Sequence, residues 1–142
     1  MKILIVPLLA AIIAQLSKVL VKSNKQKLTW SALWVYSGMP SGHAAITVAL
    51  TTIIGLEKGL EYPGFSIALV FTLLILRDAA GLRRQLGHHG SMLNELVADL
   101  KDDHFLDNQY PHLLERIGHT PLQIMVGSII GFFVAVIAHF VF

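Results

Sequence analysis

Two short stretches of the chain place a histidine where a phosphate ester could be handled. In the first, Ser37-Gly38-Met39-Pro40-Ser41-Gly42-His43-Ala44, the glycines let the backbone approach a ligand closely and proline favours the first turn of a helix. The N–H groups of that turn, including that of Gly42, form with the Ser41 hydroxyl an anion-binding concavity. His43 stands beside it, ready to give a proton to a leaving oxygen. The same residues also describe a plain capped helix whose histidine meets the membrane interface. The second stretch is Gly118-His119-Thr120-Pro121-Leu122-Gln123. A neutral imidazole at the start of a helix can attack phosphorus if another side chain accepts its Nδ1 hydrogen. Gln123, four residues on and so on the same helical face, accepts such a bond without supplying charge. Behind it, Gly127 and Gly131 form a small-x3-small pattern, which by itself signals only close helix contact.

The charged residues that could serve these histidines are few. Lys18, Arg77, Arg83, Arg84 and Arg116 are the cations near them in the order of the chain, and Asp78 is the carboxylate that could pair with an arginine or stand behind a histidine. A dianionic phosphate needs cations or backbone donors around its oxygens. The competing reading is that these cations mark a cytoplasmic loop and touch no ligand. For a metal, the best set is Asp102-Asp103-His104 with Asp107, which reads more naturally as a solvated acidic turn. His88 and His89 are adjacent, cannot share one site from a regular helix, and are expected in a loop.

These residues have to be positioned by apolar runs. Runs at about 3–21, 41–60, 64–77 and 121–142 are expected to form four transmembrane helices, with Tyr62-Pro63-Gly64 as the turn between the middle two. The 19 residues of the first reach roughly 28 Å at about 1.5 Å per residue, near the hydrocarbon thickness. Residues 77–120 form a polar insert. Within it, Met92, Leu93, Leu96, Val97 and Leu100 recur at helical spacing and predict an amphipathic helix over 90–100. The expected fold class is therefore all-α: an integral membrane bundle of about four spanning helices in a single domain.

Lysines and arginines flank the runs unequally. Lys22, Lys25 and Lys27 follow the first run and Arg77, Arg83 and Arg84 follow the third, against Lys2 and Lys58 on the other side. By the positive-inside rule both basic loops lie in the cytoplasm and both termini outside. Lys18, His43, the arginines after the third run and His119 then converge on the cytoplasmic face. Ionisable groups at a membrane boundary are costly, so such a cluster is a site by default.

Composition narrows the function classes. The 142 residues are 54 % hydrophobic and 14 % charged, the latter roughly half of the ~25 % usual in a soluble domain. A net charge of +2, with no basic run interleaved with aromatics, argues against nucleic acid as a partner. No cysteine is present, which removes disulfides, thiolate metal sites and thiol nucleophiles.

Taken together, Pro40-Ser41-Gly42-His43, with Gly118-His119-Thr120-Pro121-Leu122-Gln123 and the glycine-spaced helix after it, resembles the type-2 phosphatidic acid phosphatase and vanadium haloperoxidase superfamily. The runs MPSGHAA, DAAGLRRQ, LNEL and GHTPLQ look like its short divergent branch of bacteria and plastids, over nearly the whole chain. The resemblance implies a metal-independent phosphatase needing no cofactor and acting on a phospholipid or polyprenyl phosphate. His119 would attack phosphorus and His43 would protonate the departing alcohol. The chain departs from the family pattern in three places. Gln123 stands for the aspartate after the attacking histidine, Leu113 for an arginine six residues before it, and Lys18-x6-Lys25-Gln26 only approximates Lys-x6-Arg-Pro. Arg77, Arg83, Arg84 and Arg116 are the substitutes for the missing phosphate cations, and Asp78 for the missing carboxylate. In the serine-protease triad, replacing the orienting Asp by Asn lowers turnover by about 10⁴, so a catalytically weak or inactive binder of phosphate lipids is the alternative. Haloperoxidase chemistry with bound vanadate suits a membrane-embedded bundle poorly. A homodimer through Gly127 and Gly131 is a further expectation.

Overall fold

The computed structural model describes residues 1–18, 20–21, 38–99, 113, 115 and 117–141. Among these, every regular element is a helix: α1 (Lys2–Ser17), α2 (Gly42–Lys58), α3 (Pro63–Ala80), α4 (Leu82–Asp99) and α5 (Pro121–Val141). Lys22, Lys25, Lys27, Arg116 and the Asp102–Asp107 acidic run lie outside the described residues.

The bundle is built around small side chains. Val6 and Ala10 of α1, Ala49 and Ile53 of α2, and Ala135 and Ala138 of α5 form one buried cluster; Ala44, Ala79 and Ile124 join α2, α3 and α5 in a second. The large apolar side chains point outward instead: Leu4, Ile12 and Leu16 on α1, Phe71 and Leu73 on α3, Phe133 and Phe140 on α5 are all more than half exposed. In water this arrangement would leave most of the hydrophobic surface unburied. In lipid it is the expected one, since tails solvate large apolar groups and small residues let backbones approach. The fold is thus an all-helical membrane bundle.

Among the described residues, two helical stretches are long and apolar enough to cross a membrane, 63–99, which counts α3 and α4 together, and 121–141. The sequence runs led us to expect four. α1 has 16 residues and α2 has 17, about 24–26 Å at 1.5 Å per residue. α2 is the central helix, packed on α1, α3 and α5, so its neighbours shield it from lipid. It is also tied to α3 at mid-length: Thr51 Oγ1 and Thr72 Oγ1 lie 2.8 Å apart, and the Thr72 hydroxyl donates to the Thr47 carbonyl at 3.0 Å.

Two further expectations are corrected. The polar insert does not open as a loop: α3 continues to Ala80, turns at Gly81 and re-forms as α4 from Leu82, so His88 and His89 are helical and exposed. The run Leu82–Asp99 contains no proline, and its leucines, arginines, methionine and glutamate outweigh Gly87 and Gly90 in helix propensity. The Gly127 and Gly131 face is not open to a second copy. A Cβ on Gly127 would strike the Ser41 backbone and one on Gly131 the Ala45 backbone, so α2 of the same chain fills that face.

Candidate functional site

Backbone hydrogen bonds join three helix ends. The Ser41 N–H donates to the Gln123 carbonyl at 3.0 Å, locking the start of α2 to the start of α5, and the His119 N–H donates to the Ala79 carbonyl at 3.1 Å, locking the approach to α5 onto the end of α3. The start of α4 is drawn in by Gly118. Its φ of +93° is a left-handed value that glycine adopts without strain, and a Cβ there would come within 2.8 Å of the Arg84 backbone nitrogen. Arg83 and Arg84 therefore run directly beside the residue that precedes His119.

The result is an imidazole pair. His43, in the first turn of α2, and His119, just before α5, have ring centroids 6.2 Å apart with planes tilted by 56°. The two imidazoles are thus near neighbours, and one phosphate ester could meet both, one ring at phosphorus and the other at the leaving oxygen. His119 is only 4 % exposed and Lys18, just beyond α1, only 3 %. Lys18 and Arg83 lie within electrostatic reach of both histidines, and Asp78 within reach of His43. Asp78 accepts a 2.7 Å hydrogen bond from Arg83 Nε, which sets the arginine's position at the end of α3.

Burial, above all, holds the His119 imidazole below the usual histidine range; the Gln123 hydrogen bond opposes this, and the charges of Lys18, His43 and Arg83 add to it. His119 is accordingly neutral at neutral pH, the form with a lone pair on one ring nitrogen.

Gln123 has a role that its spacing alone did not reveal. Thr120 and Gln123 form a capping box at the start of α5: the Gln123 N–H donates to Thr120 Oγ1 at 3.3 Å, and the Thr120 N–H donates to Gln123 Oε1 at 2.9 Å. The cap fixes which end of the amide is oxygen. That oxygen also lies 3.4 Å from His119 Nδ1, a long contact in which only a protonated Nδ1 can donate. The lone pair is then left on Nε2, the ring atom facing away from Gln123.

Other expected residues take different places. Ser41 is fully buried, and its hydroxyl accepts from the Ala44 N–H at 3.4 Å as the N-cap of α2, so it serves the helix start and does not line an open anion cradle. Gly42 packs against the Gln15 side chain. Arg77 is exposed and lines a groove at the α3–α4 corner. Arg84 is exposed on the side of α4. Among the described residues no cluster of histidine and carboxylate suits a metal ion.

Two groupings had no sequence signal that we recognised. Asn94, buried on α4, clasps the returning chain: its Nδ2 donates to the Leu113 carbonyl and to Glu115 Oε1, both at 2.9 Å, and its Oδ1 accepts from the Leu113 N–H at 3.1 Å. The usable signal was phase, because Asn94 follows Gly87 and Gly90 on one face of the helix. At the opposite end of the bundle, Glu57 Oε1 meets Lys2 Nζ at 3.1 Å and His139 Nδ1 at 2.8 Å, three residues that no motif links.

Residues 1–134 match the family described as the divergent PAP2 family. The chain is 30 % identical over 145 residues to the uncharacterized membrane protein YuiD of Bacillus subtilis (strain 168), a match covering 95 % of this chain and 92 % of that protein. No solved structure matches.

Proposed function

The chain belongs to the divergent PAP2 family, and on that premise we propose that it is a membrane phosphatase hydrolysing a lipid-linked phosphate monoester or diphosphate through a histidine nucleophile. The observation that carries this reading is the approach of His43 and His119 to 6.2 Å beside Lys18 and Arg83. In the proposed reaction Nε2 of neutral His119 attacks phosphorus, the bond from phosphorus to the lipid oxygen breaks, and protonated His43 gives its proton to that oxygen. Water, losing a proton to His43, then attacks the phosphohistidine, the P–N bond breaks, and phosphate leaves. Lys18 and Arg83 offset the charge on the phosphoryl oxygens. Gln123 holds the His119 tautomer, and Asp78 holds Arg83. The positive-inside bias puts this end at the cytoplasmic face of the cell membrane.

One observation favours the alternative of a weakly active or inactive phosphate-lipid binder. Gln123 Oε1 is bound more closely to the Thr120 N–H, at 2.9 Å, than to His119, at 3.4 Å, so its hold on the imidazole is loose as well as uncharged. Purified protein offered phosphatidate and a polyprenyl diphosphate without added metal separates the two. Phosphate release that disappears in His119→Ala supports the phosphatase. Binding without release, unchanged in His119→Ala, supports the binder.

A further inference from the structure

The corner between α3 and α4 encloses an open groove of about 900 Å³, near the upper end of the ≈300–1,000 Å³ range of small-molecule sites. Each helix presents one face to it, spaced i, i+3, i+4, i+7: Leu74, Arg77 and Asp78 from α3 with Gly81 at the turn, and Leu82, Gln85, Leu86 and His89 from α4. Along α3 the lining changes from apolar to charged within a single turn, Leu74 first and Arg77 next. Leu74, Leu82 and Leu86 are each more than half exposed, and the outward side chains of Val70, Phe71 and Leu73 continue the apolar surface down α3 into the lipid-facing belt. Asp78 is occupied by Arg83, and among the described residues no carboxylate pairs with Arg77. An occupant that fits must therefore carry an anion at one end and apolar chain at the other, and must reach the groove sideways from the bilayer.

We propose that the α3–α4 groove is a binding site for an anionic phospholipid of the surrounding membrane, its head-group phosphate on Arg77 with Gln85 and His89 beside it and its acyl chain along Leu74, Leu82 and Leu86. The site is separate from the His43–His119 pair and does not depend on the protein being a phosphatase. It adjoins that pair through Asp78, which lines the groove and holds Arg83 at the same time.

The test uses the full chain purified in detergent and offered phosphatidylglycerol and phosphatidylcholine in equal amounts, with retained lipid read by native mass spectrometry. The wild type is expected to retain phosphatidylglycerol preferentially. Arg77→Gln is expected to lower that preference about fivefold, the factor appropriate to one cation at a membrane surface, while Arg77→Lys keeps most of it. Arg84→Gln, which removes an equally exposed cation outside the groove, is expected to leave it intact. His119→Ala is expected to keep it too, so loss of hydrolysis and loss of lipid retention are read separately. The proposal is overturned by a wild type without preference, by Arg77→Gln behaving as wild type, by an equal loss in Arg84→Gln, or by inorganic phosphate displacing the lipid.

Discussion

The two ends of the bundle are each built from a histidine, a lysine and helix termini, yet they differ in how their charge is balanced. At the end where α1 begins and α2 and α5 finish, Glu57 accepts from both Lys2 and His139. One carboxylate there satisfies two donors from two other helices, and the cluster is closed. At the opposite end, Lys18, Arg83, His43 and His119 gather around one another, and Asp78 is already engaged with Arg83. This cluster gathers two cations and two imidazoles at one place, a set of donors that suits a phosphate. The first end fastens three helices together. The second has the electrostatics of a site.

Substitutions at the two ends should therefore separate activity from stability. The largest effect is expected at the nucleophile: His119→Ala lowers phosphate release from phosphatidate micelles by on the order of 10³ or more, the scale for loss of a catalytic group, with helical circular dichroism unchanged. His139→Ala at the other end leaves release unchanged and lowers the thermal midpoint. Equal losses of release in both variants would erase the distinction between the ends.

Next in size is Arg83→Gln, expected to reduce turnover by about 10², comparable to removing one preorganised donor to a developing oxyanion. Its counterpart, Glu57→Gln, is expected to lower the thermal midpoint without altering turnover, because the amide cannot hold Lys2 and His139 by charge.

A smaller and more diagnostic effect concerns pH. Activity needs neutral His119, and its pKa lies below the ordinary value near 6.5. Release should therefore persist as pH falls through that value and fail only below it. Gln123→Glu keeps the capping box, since glutamate also serves at that position, and adds a negative charge beside the ring. It should raise the pKa of His119 and move the acid limb of the rate profile upward with it. A profile that does not move would sever Gln123 from His119.

The smallest effect on chemistry and a clear one on stability is expected for Asn94→Ala. It strands the Leu113 N–H and carbonyl at a buried clasp, and a lost partner of that kind costs about 1–3 kcal/mol. Denaturant unfolding reads this directly.

Much of this contrast was legible in the sequence, for physical reasons that differ by residue. Apolar runs broken by charges locate helix ends, so the approach of Lys18, His43, Arg83 and His119 followed from topology, whereas Arg77 and Arg84 face elsewhere. The histidine pair followed from two local motifs. The Glu57–His139 contact did not, because it joins residues 82 apart on parallel helices and leaves no periodic trace. The partner of Gly127 and Gly131 was equally hidden. Small residues at that spacing announce a close helix contact, but α2 of the same chain and a second copy read alike. In α4, Gly87-His88-His89-Gly90 looks like a loop by local propensity, whereas packing of Gly87 against the backbones of Glu115 and Ile117 and the Asn94 clasp sustain the helix. Asn94 and Ser41 show the same limit from the side of function, since a polar residue in a motif can serve backbone as well as ligand.

The measurement that bears most directly on the site is the phosphorylation state of His119 in a His43→Ala variant given p-nitrophenyl phosphate, whose leaving group needs no proton from His43. With the acid and base of the second step removed, an acid-labile, base-stable phosphoryl group should accumulate on residue 119 and be absent from the His119→Ala protein. Release of phosphate by the wild type with no phosphoryl group on residue 119 in the variant, or with one on another residue, would contradict the account.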